Sequence, residues 1–280
     1  MTLRPASAGR RLIVHAGPPK TGSTSFHHYL KRNHELLEPH LVVPNELTGV
    51  PMSPLGRASI QFSLDPVPEA EAELRRAFAD ILTALPRGEL PVLLTHENLA
   101  GAMPGNAGEV RLFPMLPRIA RILLDEGDGF DMHFVLYTRE KQSWLESVWA
   151  QAVFTDGYPD TLPDFLDETS GIADWGDLAR RLADAVGPDR VTLLRLEDEA
   201  ELLRPGQALL RIVGLDQSLL DQMHPLERPA MRRLNAGALE FLRRLNAVPL
   251  NPHARDKVVR LVASCQPLFS ADLRPQGNLS

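Results

Sequence analysis

The amino-acid sequence predicts an α/β protein of three layers (α/β/α), in which helices cover both faces of a mainly parallel central sheet. Short apolar segments typical of buried strands recur along the chain, and segments with helical spacing of apolar residues separate them. Strands that alternate with helices favour parallel pairing, because each helix carries the chain back across the sheet. From Pro205 onward the pattern predicts a mostly helical C-terminal part, broken by prolines.

The predicted strands are short and strongly apolar, which is typical of a sheet buried on both faces. They are Arg11–Ala16, Leu90–Thr95, Asp131–Thr138 and Arg190–Leu196, with Leu41–Val43 as a shorter one. Helical spacing predicts helices over Thr24–Asn33, Glu69–Leu85, Pro114–Leu124, Gln142–Phe154 and Asp174–Val186. Thr48–Pro68 is rich in Pro, Gly and Ser, and we interpret it as a surface loop.

Length and composition indicate one globular domain over residues 1–280, with residues 1–9 as a disordered lead-in. The net charge of −6 argues against a nucleic-acid partner, which would require a basic face. The single cysteine, Cys265, cannot form an intramolecular disulfide and fits a reducing compartment. No apolar run is long enough for a signal peptide or a membrane span, so we expect a cytoplasmic protein.

The loop after the first strand, from Lys20 to Ser25, has the residue types that hold a phosphate group. Gly22 lets the backbone come close to a ligand, and Lys20 supplies a positive charge. Thr21, Ser23, Thr24 and Ser25 add hydroxyl groups at the start of a helix, where the backbone amides favour an anion. Lys20 precedes Gly22, whereas the ATP loop G-x-x-x-x-G-K-[ST] has the reverse order, so an ordinary nucleotide hydrolase is disfavoured.

A second anion site is predicted just past the strand Asp131–Thr138. Arg139 follows the strand directly, and Ser147 lies eight residues later, inside the next helix. An arginine at a strand end and a serine on the inner face of the next helix can converge on one phosphate. Ser143 is nearer to the strand end and is the alternative hydroxyl group.

Two candidate bases follow the strand Leu90–Thr95. His96 and Glu97 can each accept a proton, and their place at the carboxyl end of a strand directs them towards the ligand crevice. Neighbouring residues of an extended chain point to opposite sides, so we expect only one of them to act.

These segments resemble the sulfotransferases that use 3′-phosphoadenosine 5′-phosphosulfate (PAPS), which have a P-loop nucleotide-binding-like fold. The segment HAGPPKTGSTSF is similar to their 5′-phosphosulfate loop, and the Arg-x7-Ser spacing is similar to their 3′-phosphate site. The resemblance implies that Lys20 contacts the bridging and 5′-phosphate oxygens. It implies further that the loop from Thr21 to Ser25 holds the 5′-phosphate, and that Arg139 and Ser147 bind the 3′-phosphate.

The resemblance also bears on the base. Thr95-His96 is similar to the Thr-His pair of cytosolic members, in which the histidine is the base; glycosaminoglycan-type members use a glutamate, which favours Glu97. We prefer His96, with Glu97 as the alternative. Cytosolic members also have an Arg-Lys-Gly-x-x-Gly loop near the C-terminus; it has no clear copy in this chain, where Arg232 and Arg233 are the candidate substitutes.

The expected activity is therefore transfer of a sulfuryl group from PAPS to a hydroxyl or amine of a small-molecule, carbohydrate or lipid acceptor. No metal is expected, because no cluster of His, Asp or Glu has ligand spacing and Lys20 can balance the charge. Two alternatives remain at this point. One is an atypical P-loop kinase or nucleotide hydrolase, with Glu97 as the Mg²⁺ ligand. The other is a non-catalytic nucleotide-binding module.

Overall fold

The computed structural model describes residues 9–228 and 234–270, and its centre is a four-stranded sheet. The strands are β1 (Arg10–His15), β2 (Val92–Thr95), β3 (Phe130–Thr138) and β4 (Val191–Arg195). Their order is β2-β1-β3-β4, and every neighbouring pair is parallel. Of the predicted disordered residues 1–9, all but Gly9 lie outside the described residues, as do Arg232 and Arg233.

Helices connect the strands and form the C-terminal part of the chain. They are α1 (Ser23–Arg32), α2 (His34–Leu37), α3 (Ser53–Leu64), α4 (Pro68–Ala84), α5 (Leu116–Glu126), α6 (Lys141–Gln151), α7 (Leu162–Glu168), α8 (Trp175–Val186), α9 (Gln207–Val213), α10 (Gln217–Gln222), α11 (Ala236–Asn246) and α12 (Pro252–Ser264). Helix α6 continues directly into a π-helical segment, Ala152–Asp156.

The two faces of the sheet contribute to two separate hydrophobic cores, because side chains alternate along each strand. On β1, Leu12 and Val14 face the larger core, which also contains buried side chains from α3, α4, α5, α6 and α8. Ile13 faces the other core, which is filled by side chains from α1, α9 and α10. Helices therefore cover both faces of the sheet, and the predicted three-layer α/β class is confirmed.

The interpretation of Thr48–Pro68 as a loop was wrong, since α3 occupies most of it. Pro54 lies in the first turn of α3, where a missing backbone N–H costs nothing. Leu55, Ala58 and Phe62 follow at helical spacing and are buried in the larger core. Burial of this apolar face outweighs the abundance of Pro, Gly and Ser that suggested a loop.

The predicted strand Leu41–Val43 is reduced to one parallel bridge, between Val42 and Val92. The Val42 amide donates to the Pro91 carbonyl, and the Val42 carbonyl accepts from the Leu93 amide, both at 2.9 Å. This contact extends the sheet by a single residue beyond β2. The predicted helical C-terminal part is present as α11 and α12, which pack on Val153 of the π-helical segment.

The strand order creates a crevice beside β1. In the sheet, β2 lies on one side of β1 and β3 lies on the other side. The connection after β1 therefore leads to one side of β1, and the connection after β2 leads back to the other. Ligands of open α/β sheets bind at such a point, beyond the carboxyl ends of the strands. Each of these three strands is followed shortly by a polar residue: β1 by Lys20, β2 by Glu97 and β3 by Arg139. All three residues therefore lie at this edge of the sheet. Within the described ranges, no helix is long and apolar enough to cross a membrane.

Candidate functional site

A cavity of about 960 Å³ lies beyond the carboxyl ends of β1, β2 and β3. Its wall includes the loop residues Lys20, Gly22, Ser23, Thr24 and Ser25, together with Glu97, Arg139 and Ser147. The fold therefore brings most of the residues singled out in the sequence to one cavity. Thr21 is buried beneath the loop, where its hydroxyl donates to the Pro18 carbonyl at 2.6 Å, and His96 does not line this cavity.

The loop between β1 and α1 has an unusual backbone held by side chains from elsewhere. Lys20 has a φ of 71°, and Gly22 has a φ of 95°. A lysine in the left-handed region costs of order 1–2 kcal/mol, which points to a functional constraint at this position. Its carbonyl oxygen accepts a hydrogen bond from Arg139 Nη1 at 3.3 Å, and the preceding carbonyl of Pro19 accepts one from Trp144 Nε1 at 2.9 Å.

The N-terminus of α1 opens on the cavity. Gly22 is the N-cap residue, and within the described part of the chain no side chain caps this helix. The first backbone N–H groups of a helix carry partial positive charge, and without a side-chain cap they are suited to bind an anion. Lys20 Nζ lies 3.4 Å from Gln151 Oε1, which holds the ammonium group at the other wall of the cavity. This edge can thus hold a phosphate or a sulfate.

Arg139 and Ser147 form a second polar pair in the same cavity. Arg139 Nη1 donates to Ser147 Oγ at 2.9 Å, and Trp175 Nε1 fixes the Arg139 backbone by donating to its carbonyl at 2.7 Å. The sequence left Ser143 as the alternative partner, but Ser143 is not among the residues that line the cavity. Its backbone carbonyl instead accepts from Ser147 Oγ at 3.0 Å. The guanidinium and hydroxyl groups therefore lie side by side in the wall of the cavity.

The two candidate bases face different surroundings. Glu97 lines the large cavity, and its Oε2 accepts a hydrogen bond from Ser23 Oγ at 3.2 Å. His96 Nδ1 accepts a hydrogen bond from the Asn98 amide at 3.1 Å. Its ring packs closely on Gly56 of α3, since a Cβ atom added to Gly56 would lie only 2.4 Å from the ring. Burial is the main cause that lowers the pKa of His96, and the carboxylates of Glu97 and Glu46 oppose it. Of the two, only Glu97 shares the cavity with Lys20.

A second cavity, of about 300 Å³, adjoins the first at Glu97. Its wall contains apolar side chains, including Val43, Leu47 and Met52, and a set of polar ones: His27, His28, Lys31, Glu46, His96 and Glu97. Glu97 therefore stands between two spaces, one beside the Lys20 loop and one beside α1 and α3. A group bound in either space can reach its carboxylate.

Three residues of the site were not singled out in the sequence. They are Trp144, which donates to the loop carbonyl of Pro19, Trp175, which donates to the carbonyl of Arg139, and Gln151, which contacts Lys20. No local pattern identifies them, because each acts through a contact with a residue at least 36 positions away. In the described ranges, no group of three or more His, Cys, Asp or Glu residues could hold a metal ion.

Comparison with known proteins adds a distant likeness to this description. No protein-family model matches the chain, and no curated protein matches it. Among solved structures, the chain is similar to a sulfotransferase from Alicyclobacillus acidocaldarius, with 13% sequence identity. The match covers 96% of this chain and 98% of that chain, with a TM-score of 0.47. At this level of similarity, the likeness does not establish a function.

Proposed function

We propose that this protein is a sulfotransferase that transfers a sulfuryl group from PAPS to a hydroxyl or amine of a small-molecule acceptor. The observation that carries the proposal is the large cavity, which combines two separate anion sites with one carboxylate. The first site is the Lys20 loop at the start of α1, and the second is the Arg139–Ser147 pair. Glu97 is the carboxylate, and it lies in the same wall.

The residues of this cavity fit a nucleotide that carries phosphate groups at two positions. A volume of about 960 Å³ is large enough for a nucleotide, since ligand sites usually measure ~300–1,000 Å³. The Lys20 loop suits the 5′-phosphosulfate, because backbone amides, hydroxyls and one ammonium converge there. The Arg139–Ser147 pair suits the 3′-phosphate, because arginine can contact two phosphate oxygens at once.

In this reaction the donor supplies the sulfuryl group, and the chain's own residues handle the charge and the proton. Lys20 stabilises the negative charge that develops on the bridging oxygen as the bond from sulfur to that oxygen breaks. Glu97 takes the proton from the acceptor hydroxyl as the new bond from oxygen to sulfur forms. The products are the sulfated acceptor and adenosine 3′,5′-bisphosphate. We assign the base to Glu97 rather than to His96, because Glu97 shares the cavity with Lys20 and His96 does not.

Titration calorimetry on the full chain tests the donor directly. We expect adenosine 3′,5′-bisphosphate to bind without Mg²⁺ and to bind at least tenfold more tightly than ATP, because ATP has no 3′-phosphate for Arg139. A tenfold ratio corresponds to about 1.4 kcal/mol, a typical value for a charge-assisted contact. Tighter binding of ATP, dependent on Mg²⁺, would instead support an atypical P-loop kinase or hydrolase. Binding of the nucleotide without transfer to any acceptor would support a non-catalytic module.

Changing Trp144→Phe is expected to weaken binding of adenosine 3′,5′-bisphosphate by roughly tenfold. The phenylalanine fills most of the buried space but leaves the Pro19 carbonyl without its donor, which costs about 1–3 kcal/mol and loosens the loop. Trp149→Phe is the matched control, because Trp149 Nε1 also donates to a backbone carbonyl, that of Asp160, away from the loop. Equal nucleotide affinity in both variants, measured by calorimetry, would contradict the role of Trp144.

A further inference from the structure

A row of three side chains, of which two are buried and the third is partly buried, connects β1, β2 and α1. His15 Nδ1 lies 2.8 Å from Thr95 Oγ1, and His27 Nε2 lies 3.0 Å from the same hydroxyl oxygen. His15 and Thr95 are direct cross-strand neighbours, so their side chains point to the same face of the sheet, towards α1. The reaction as described above gives no role to any of the three.

The environment of His15 determines which nitrogens in this row carry hydrogen. His15 is 1% exposed, and burial lowers its pKa to about 3, so its ring is neutral. Within the described part of the chain, its Nε2 is buried without a hydrogen-bond partner. The backbone of Gly17 packs closely on this nitrogen, since a Cβ atom added to Gly17 would lie only 2.8 Å from it. A buried N–H without an acceptor is rarer in proteins than an acceptor without a donor. The hydrogen of His15 therefore resides on Nδ1 and is donated to Thr95 Oγ1.

The hydroxyl group of Thr95 links His15 to His27 and has one hydrogen to donate. Among the described residues, the partners of Thr95 Oγ1 are His15 Nδ1 and His27 Nε2, and Thr95 is buried. Because His15 donates, His27 Nε2 is the acceptor left for the hydroxyl hydrogen, so this nitrogen carries no hydrogen of its own. Burial, as the largest cause, lowers the pKa of His27, so its ring is also neutral. A neutral imidazole carries one hydrogen, which in His27 resides on Nδ1. Among the described residues, no hydrogen-bond partner of Nδ1 is found, and His27 lines the second cavity.

We propose that the second cavity is the acceptor subsite and that His27 determines its specificity, by donating a hydrogen bond from Nδ1 to an oxygen of a hydroxyl compound. This inference rests on the proposed sulfotransferase activity. Both His27 and Glu97 line the second cavity, so an acceptor that is held by His27 can reach the base, which also lines the cavity of Lys20. His15 and Thr95 are positioning residues, because they act only through His27.

The lining of the cavity restricts the acceptor class. The cavity of about 300 Å³ shares Leu30, Val43 and Leu47 with a neighbouring cavity of about 600 Å³, so an acceptor held at His27 can extend beyond the smaller space. The wall of the cavity has an apolar part, made by Val43, Leu47 and Met52. His27 provides a hydrogen-bond donor in this wall, and Glu97 provides a proton acceptor. A neutral donor at His27 selects an oxygen with a lone pair, such as a hydroxyl group, over an ammonium group, which has no lone pair to accept.

The tautomer of His27 is measurable without any ligand. In ¹⁵N NMR spectra of the full-length protein at neutral pH, the ring signals of His27 are assigned by their loss in His27→Gln. We expect a neutral ring with its hydrogen on Nδ1, and a mixture of both tautomers in Thr95→Val, which removes the hydroxyl group. A wild-type His27 with its hydrogen on Nε2 would overturn the proposal.

Kinetic measurements test the role of His27 in acceptor binding. Glycerol, glucose and phenol serve as acceptor probes with PAPS labelled in the sulfuryl group. For the probe that wild type sulfates fastest, we expect His27→Phe to raise KM about tenfold or more, as for one lost hydrogen bond. We expect His27→Gln, which retains an N–H donor, to have a KM much closer to that of wild type than His27→Phe has. His253→Gln, an exposed histidine at the start of α12, is the matched control and should behave as wild type.

The two hypotheses fail in different ways. Unchanged kcat and KM in His27→Phe would overturn the role of His27 alone, with the sulfotransferase assignment intact. A wild type that does not bind adenosine 3′,5′-bisphosphate would overturn the proposed function and this inference with it. In His27→Phe, we expect the dissociation constant of that nucleotide to stay within about twofold of wild type, because His27 lines only the second cavity.

Discussion

Changing Lys20→Ala is expected to lower kcat of sulfuryl transfer by about 10²–10³-fold, the typical loss when one preorganised charge-stabilising group is removed. The ammonium group lies in the wall of the large cavity, 3.4 Å from Gln151 Oε1, and no other lysine among the described residues lines that cavity. Lys20→Arg should recover only part of the rate, because a guanidinium is broader than the point charge of an ammonium. Transfer of label from PAPS, measured at saturating donor, gives kcat for each variant.

Two controls separate loss of charge from loss of structure. Lys20→Gly removes the cost of a left-handed lysine, with its φ of 71°, and is expected to be as stable as wild type or more stable, yet inactive. Lys257→Ala changes an exposed lysine of α12 and is expected to leave kcat unchanged. Full activity in Lys20→Gly would show that Lys20 has no part in the transfer.

Changing Glu97→Gln is expected to lower kcat by about 10²–10⁴-fold, the range for removal of a positioned general base. Glutamine has nearly the same shape and can still accept the hydrogen bond of Ser23 Oγ, so the wall between the two cavities is preserved. Affinity for adenosine 3′,5′-bisphosphate should change little, because the amide removes a proton acceptor and leaves the anion sites intact. The comparison of kcat with nucleotide affinity distinguishes a base from a binding residue.

His96→Gln is the matched comparison for Glu97→Gln. His96 packs against Gly56 of α3 and lines the smaller cavity, so we expect its replacement to reduce kcat by less than about tenfold. The reverse result, with His96→Gln inactive and Glu97→Gln active, would return the base to His96, the residue that the sequence resemblance preferred. Each variant is checked first for an unchanged thermal unfolding midpoint.

The strands and most of the helices were predictable because their signals are local. The apolar segments of β1, β2, β3 and β4 are short runs bounded by polar or turn residues, and each prediction was correct to within two residues at each end. Helix α3 was missed for an equally specific reason. Its Pro and Gly content indicates a loop locally, whereas burial of Leu55, Ala58 and Phe62 in the larger core favours a helix.

Residue identity alone pointed to the loop from Lys20 to Ser25 and to Arg139 as candidate anion sites. A lysine, a glycine and several hydroxyl groups directly after a buried strand can form few other sites, and the carboxyl end of a parallel strand directs them to one crevice. The choice between His96 and Glu97 could not be made in this way. Both follow β2 directly, and either can accept a proton.

The sequence by itself determined the fold class, the strand after which the loop begins and the residue types at that loop, because these depend on short-range pattern and chemistry. Only the tertiary structure decided which side chains share a cavity. Arg139 meets Ser147 rather than Ser143, Glu97 meets Ser23, and His27 meets Thr95 across 68 positions of the chain. Such contacts depend on how β1, β2 and α1 pack together, and no local pattern of residues encodes that packing.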